Sequence, residues 1–416
     1  MSRANIITGD CVDLFGDLAD ESIDAIVCDP PYGLGFMGKA FDTLGPGAAQ
    51  QAWHYRWAVE ALRVLKPGGH LLAFGGSRTS HRLACAVEDA AFEIRDSVIW
   101  IYGSGFPKSL NVSKAIDKAA GAERAVVGKR ESWNRPESTD GNVARMNASP
   151  GIYDLTTPTT PAAKTWQGYG TALKPAHEPC VMARKPLSGT VAGNVQAHGV
   201  GALNIDGCRA GTVDNYAYPH GAGGCAFAVG RSPDVPPCDT PAMHAAGRWP
   251  ANVIHDGTDE VLRIFPETGP SVGGGYGGWQ QDGYVGGDPG ARVPRTCHTA
   301  TGSAARFFYC AKASTAERHA GVGRNIHPTV KPVALMRHLC RLVAPPGGLV
   351  LDPFTGSGST AIAALCEGMR FVGFELDPAY ADIARARVAH WFVEGPADQV
   401  EARVGDPTTP DQLALF

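Results

Sequence analysis

The sequence contains no Cys-x-x-Cys pair, no apolar run approaching the roughly 18 to 20 residues needed to cross a bilayer, and no overall excess of basic residues. Each absence excludes something. The eleven cysteines stand singly from Cys11 to Cys366, mostly inside apolar stretches, so they read as reduced, buried thiols. Neither a disulfide framework nor a metal site is expected. Without a membrane-length segment, and with Met1 to Asn5 lacking the apolar core of a secretion signal, a cytoplasmic protein with no membrane partner is expected. A net charge of -4 argues against a surface that is basic all over.

What is present is enough chain, 416 residues with 44% hydrophobic and 19% charged, for one large domain with insertions or for two domains. The charge is unevenly spread. Between residues 291 and 341, nine basic residues (Arg292, Arg295, Arg306, Lys312, Arg318, Arg324, Lys331, Arg337 and Arg341) stand against one acid, Glu317. Between 211 and 290 nine acids stand against three arginines. The basic stretch reads as a polyanion footprint, the bland alternative being a solvated helix face.

Periodicity predicts an α/β pattern at both ends of the chain. Near the N-terminus it gives strands over 5–8, 23–28, 70–74 and 97–102, with helices over 52–65, stopped by Lys66-Pro67-Gly68-Gly69, and over 80–90. Near the C-terminus it gives helices over 333–343, 360–367 and 378–392 with strands over 349–352 and 371–375. The two ends read as halves of one sheet. Between them, 103–175 is polar and turn-rich, and 177–184 is one further strand. Residues 187–302 are dominated by Gly, Pro and Asp, with ten glycines in the 22 residues from Gly269 to Gly290, and are expected to be loop or partly flexible.

Two motifs carry chemistry. The strand ending at Asp352 runs into Pro353-Phe354-Thr355-Gly356-Ser357-Gly358-Ser359-Thr360 and then a helix. Glycines there let a ligand approach the backbone closely, and the helix N-terminus offers N–H donors. Gly356, Gly358 and Ala361 also satisfy a dinucleotide fingerprint, with Glu375 about 20 residues on at a strand end. On this motif alone an NAD enzyme stays open. The second motif, Asp29-Pro30-Pro31-Tyr32, follows the strand 23–28 directly, at the strand end where open α/β sheets place their sites. The Asp29 carboxylate and the Pro30 carbonyl can accept from one amine while Tyr32 offers a face for stacking. Two acceptors on an exocyclic amine favour the pyramidal nitrogen whose lone pair can attack a methyl donor, and no covalent nucleophile is needed.

With both motifs in this order the sequence resembles the permuted amino-DNA methyltransferases called β-class, and more narrowly the stand-alone enzymes of phage and prophage. Resembling segments include Gly9-Asp10-Cys11, Leu65 to Gly69, Lys174 to Pro179, Arg248 to Asn252 and His327-Pro328-Thr329-Val330-Lys331-Pro332. The resemblance implies a circularly permuted Rossmann-like sheet that binds S-adenosylmethionine and carries a large loop-rich target-recognition insertion. It implies methyl transfer to adenine N6 in double-stranded DNA after base flipping, with cytosine N4, or an RNA or protein amine, as alternatives.

Asp29, Pro30, Pro31 and Tyr32 would be catalytic. Phe354, Gly356, Ser357, Gly358, Ser359 and Thr360 would surround the methionine part of the cofactor, with Asp29 and Asp352 at its edge. Glu375 would bond the ribose, Asp10 and Cys11 would flank the adenine, and His327, Thr329 and Lys331 would close over the carboxylate. Ser104, Lys108, Arg306, Lys312, Arg318 and Arg324 are the expected DNA contacts. The resulting organisation is a catalytic half over 1–105, a polar insertion contacting DNA over 106–176, a returning strand over 177–186, target recognition over 187–302, a cofactor-binding half over 303–393 and a tail over 394–416. A homodimer is expected from the resemblance; a cognate restriction endonuclease is left open.

Overall fold

A computed structural model describes residues 3–35, 40–105, 107, 109–132, 151–210, 247–269, 271–274, 294–298, 302–311 and 315–393. The described chain is α/β, built on a nine-stranded sheet. In chain order its strands are β1 (Ala4–Thr8), β2 (Ile23–Cys28), β3 (Leu65–Phe74), β4 (Glu93–Ile101), β5 (His177–Arg184), β6 (Val253–His255), β7 (Tyr309–Cys310), β8 (Leu349–Asp352) and β9 (Arg370–Glu375). Across the sheet they run β1-β9-β8-β2-β3-β5-β4-β6-β7. Every pairing is parallel except those of β5, which lies antiparallel between β3 and β4.

Burial explains the central strands. All six residues of β2 are buried, as an uninterrupted apolar run in a sheet covered on both faces should be. Asp24 is the polar exception, and its carboxylate accepts from Lys66 Nζ at 2.6 Å and from Leu349 N at 2.6 Å, tying β2 to its neighbours. The helices α1 (Ala48–Val64), α2 (Ser80–Asp89), α3 (Val333–Val343), α4 (Ser359–Cys366) and α5 (Pro378–Val393) flank the sheet. Spatially, β1 continues the C-terminal half: it pairs with β9, and Arg385 of α5 donates to the Ile6 carbonyl at 2.9 Å.

Several expectations change. Helix α1 begins four residues earlier than the pattern indicated. Lys66 to Gly69, expected as a turn, lie within β3 as an irregularity: Leu65 pairs with Ile23 and His70 with Ala25, so the intervening residues bulge from the ladder. The polar stretch after residue 103 holds helices Val112–Ala119 and Pro161–Thr165 and a hairpin of Val126–Ser132 with Gly151–Thr156. Its anchor is buried Asp117, which accepts from Arg124, from the Thr159 and Thr160 N–H groups and from the Thr160 hydroxyl. The stretch expected to be loop over 187–302 contributes β6 to the central sheet, joined to β4 by Ile99 N donating to Asn252 O at 2.8 Å. Most of the glycine tract lies outside the described residues. Among the described residues no helix is long and apolar enough to cross a membrane.

Candidate active site

Strands β8 and β2 are neighbours, yet β8 leads to β9 on one side and β2 to β3 on the other, so the sheet order reverses between them. A crevice opens at the carboxyl ends of strands that diverge in this way. The loops after Asp352 and after Cys28 both begin there, although the two aspartates are far apart in the chain.

On the β8 side the glycine loop is held by carboxylates. Asp352, buried at the strand end, accepts from Phe354 N at 2.9 Å and from the Thr360 hydroxyl at 2.6 Å. Burial pushes its carboxyl up to about 7, with these hydrogen bonds opposing the shift. Glu375, at the end of β9, accepts from Gly356 N at 2.7 Å and from Asp377 N at 2.9 Å, and burial raises it as well. Gly356 has φ +54°, and a Cβ there would stand 3.0 Å from His327 Nε2. Ser357 and Ser359 are buried against Arg387, whose guanidinium donates to the Ser357 carbonyl and, at 3.0 Å, to its hydroxyl. Phe354 packs between the rings of Trp53 and Trp57. Gly358 carries φ +82° where the loop turns into α4.

The segment His327 to Lys331 covers this loop. His327 Nδ1 donates to the Thr329 carbonyl, and burial pushes the imidazole down to about 4, so the ring is neutral with Nε2 turned to the glycine loop. Asn325 Oδ1 accepts from His327 N, and Arg318 donates to the His327 carbonyl at 2.9 Å. Gly9 N donates to the Glu375 carbonyl, which brings Asp10 and Cys11 beside the same strand end; Asp10 also caps the following short helix by accepting from Val12 N. Cys11 is buried, and its thiol is pushed up to about 12 by desolvation.

On the β2 side, Asp29 Oδ1 accepts from the Tyr32 hydroxyl at 2.8 Å and Oδ2 accepts from Lys331 Nζ at 2.5 Å. The same Nζ lies 3.1 Å from Glu178 Oε2 and 3.1 Å from Tyr32 Oη, and 4.8 Å above the ring of Phe74. Burial alone would depress Lys331, yet Asp29 and Glu178 hold it above its ordinary value, so it is an ammonium. Tyr32 is raised by burial and by the same two carboxylates. Behind the loop, Gln50 donates to the Tyr32 carbonyl, and Asp42 accepts from the Gly33 and Leu34 N–H groups.

The structure thus brings together Asp10, Cys11, Asp29, Tyr32, His327, Lys331, Asp352, Glu375 and the glycine loop. Lys331 differs from its expected place over the cofactor: its ammonium is in the Asp29 cluster. Glu178 was not among the expected site residues. An antiparallel strand presents its N-terminal end where parallel strands present their C-terminal ends, so His177–Arg184 carries Glu178 to the same mouth. That follows from topology and not from local pattern.

Among the described residues of the basic stretch, most are engaged within the protein. Arg337 and Arg341 pair with Glu367 at 2.7 Å each, Lys331 pairs with Asp29, and Arg306 donates to the Gly302 and Ser303 carbonyls. Arg306 and Arg318, expected on DNA, donate to backbone carbonyls: Arg306 to those of Gly302 and Ser303, and Arg318, on the helix Thr315–His319, to those of His327 and Pro328. Ser104 and Arg324 are exposed, while Lys108 and Lys312 lie outside the described residues.

Fold and site together define an α/β protein of Rossmann type in which a glycine loop and an Asp-Pro-Pro-Tyr loop share one crevice. Residues 23–125 and 277–386 match the family model described as DNA methylase, the N6/N4 methyltransferases. The chain belongs to that family. It is 45% identical over 67 residues, 16% of this chain, to the candidate methylase YubD of Escherichia coli (strain K12). It is 37% identical over 73 residues, 17% of this chain, to the type II methyltransferase M.BamHI of Bacillus amyloliquefaciens. The matches span 30% and 16% of those proteins' lengths. Among solved structures it is similar to the cytosine-N4-specific PvuII DNA methyltransferase, with a TM-score of 0.45 at 13% identity over 97% of this chain and 92% of that one.

Proposed function

We propose that the protein transfers a methyl group from S-adenosylmethionine to adenine N6 in duplex DNA, after the base has been flipped from the stack. The observation that carries this reading is the meeting of Asp29 and Tyr32 with the Asp352 to Thr360 loop at one switch point. The cradle suits the cofactor: Glu375 stands at a strand end where an acid can take ribose hydroxyls, Gly356 lets the neutral His327 close against the loop, and Gly358 lets α5 pack against its base at Ala384. Bound there, S-adenosylmethionine supplies an electrophilic methyl carbon on a positively charged sulfur.

The protein's own part is orientation and charge. Asp29 accepts from the target amine, Tyr32 stacks on the base, and the amine lone pair is directed at the methyl carbon. A bond forms from nitrogen to carbon, the carbon–sulfur bond breaks with its electron pair left on sulfur, and the nitrogen's extra proton leaves to solvent. The packing of β1 after α5 supports a circularly permuted order for this sheet. Adenine is chosen over cytosine because Asp at the first position of the motif, in place of Ser, leans to N6 among the enzymes the sequence resembles.

Incubation with labelled S-adenosylmethionine and duplex DNA, followed by mass spectrometry of the nucleosides, tests the proposal. N6-methyladenine is expected. N4-methylcytosine alone would reassign the base, and methyl groups on RNA or protein but not on DNA would overturn the reading. A homodimer is part of the proposal and is checked by sedimentation with and without duplex.

A further inference from the structure

The ammonium of Lys331 presents a difficulty for an amine-binding aspartate. A lone Asp29–Lys331 pair is neutral, and its carboxylate would have little field left for a nitrogen that becomes positive as it is methylated. The structure contains a second carboxylate in the same place. Strand β2 brings Asp29 and strand β5 brings Glu178, with β3 between them, and Lys331 lies over the β3 residue Phe74 with contacts of 2.5 Å to Asp29 and 3.1 Å to Glu178. The Tyr32 hydroxyl donates toward both carboxylates, at 2.8 and 3.2 Å. Two carboxylates against one ammonium leave one negative charge in excess.

We propose that Glu178 is a positioning residue for methyl transfer: by sharing the Lys331 ammonium and the Tyr32 hydroxyl with Asp29, it leaves Asp29 charge to offer the target amine. The inference rests on the amine methyltransferase reading above. It assigns Lys331 a structural cation's role, holding two like charges within reach of one amine that neither would tolerate alone. It also gives Tyr32 a second duty, since its hydroxyl bridges the two acids at 2.8 and 3.2 Å.

The test is one double-mutant cycle on the full chain, Glu178→Gln and Lys331→Met singly and together, read both as rate and as thermal unfolding. In single-turnover methylation of duplex DNA, Glu178→Gln should slow transfer about tenfold or more, short of the 10²- to 10³-fold seen when a direct transition-state contact is removed. S-adenosylmethionine affinity, read by calorimetry, should stay within about threefold. Adding Lys331→Met to Glu178→Gln should restore most of the lost rate, because Asp29 is then no longer neutralised; a merely structural Glu178 would give additive losses. In thermal unfolding the two substitutions should be non-additive, independently of any activity. A Glu178→Gln rate at the wild-type level, additive rate losses, or additive unfolding midpoints would each overturn the proposal. A wild-type chain that methylates no DNA would sink the functional reading itself, and this role with it, whereas an active wild type beside an unimpaired variant sinks this role alone.

Discussion

Lys331 Nζ lies 2.5 Å from Asp29 Oδ2, across 302 residues of sequence. The contact joins the segment that covers the glycine loop to the loop that would hold the target base, so the two halves of the site are mechanically linked through one ion pair. A base amine that approaches Asp29 meets a carboxylate already engaged on one oxygen by Lys331 and on the other by Tyr32. Substrate must therefore share Asp29 with these donors or displace one of them.

Asp29→Ala should lower single-turnover methyl transfer by about 10²-fold or more, the loss typical of a preorganised transition-state contact. Cofactor affinity should change much less, because the glycine loop is held by Asp352 and Glu375 rather than by Asp29. Transfer near the wild-type rate would remove Asp29 from the role given to it.

The two roles proposed for Tyr32 can be separated by substitution. Tyr32→Ala should weaken capture of the flipped base by roughly 1 to 3 kcal/mol, the range for one lost stacking contact, and the deficit should shrink on DNA whose target base is mispaired. Tyr32→Phe keeps the ring and loses the hydroxyl bonds to Asp29 and Glu178, so its defect should fall on the transfer rate with duplex affinity spared. Equal losses on paired and mispaired DNA for Tyr32→Ala would show the ring to be structural.

Much of this arrangement was legible in the sequence, and the parts that were not share a cause. Ile23 to Cys28 and Leu349 to Asp352 are apolar runs ended by turn residues, and the rule that sites lie at strand carboxyl ends places Asp29 and Asp352 without coordinates. Val253–His255 and Tyr309–Cys310 are two or three residues long, too short for any period; the first is a strand only because β4 offers it an edge, and the second only because β6 then offers it another. Lys66 to Gly69 carry turn chemistry that the sheet absorbs as a bulge. A count of basic residues could not foresee that Arg306, Arg318, Arg337 and Arg341 find partners in Glu367 and in nearby carbonyls, because those contacts are set by tertiary packing. Glu178 escaped notice for the same reason: its importance comes from the one strand that runs against the others.

Asp352 should leave a signature in the pH dependence of stability. Its carboxyl is raised from 3.8 to about 7 by burial, so between about pH 4 and 7 the folded chain binds a proton that the unfolded chain has released. This contribution to stability is fully present below about pH 4 and is lost as pH rises through about 7. Asp352→Asn removes the ionisable group, and urea unfolding of this variant across that window should show a flatter loss of stability with pH than the wild type. Parallel pH profiles would mean that the carboxyl ionises in the native protein with little cost.

Substitution of the arginines can separate a proposed DNA surface from internal bracing. Arg306 and Arg318 donate to backbone carbonyls of Gly302, Ser303, His327 and Pro328, so removing either should loosen a loop before it removes a phosphate contact. Arg324 is exposed, between the Arg318 helix and the His327 cover, and Ser104 is exposed after β4, whose carboxyl end opens on the Asp29 face. A phosphate held at Arg324 contributes about one unit to the slope of log affinity against log salt concentration, whatever the sequence. Arg324→Ala should therefore flatten that slope by about one on cognate and scrambled duplexes alike. Arg306→Ala and Arg318→Ala should lower the melting temperature and leave the slope close to wild type. Affinity titrations at several salt concentrations, paired with thermal melts of the same three variants, decide the matter. An unchanged slope for Arg324→Ala would place the duplex elsewhere on the protein, and a flattened slope for Arg306→Ala at wild-type stability would show that its guanidinium leaves the Gly302 loop to meet DNA.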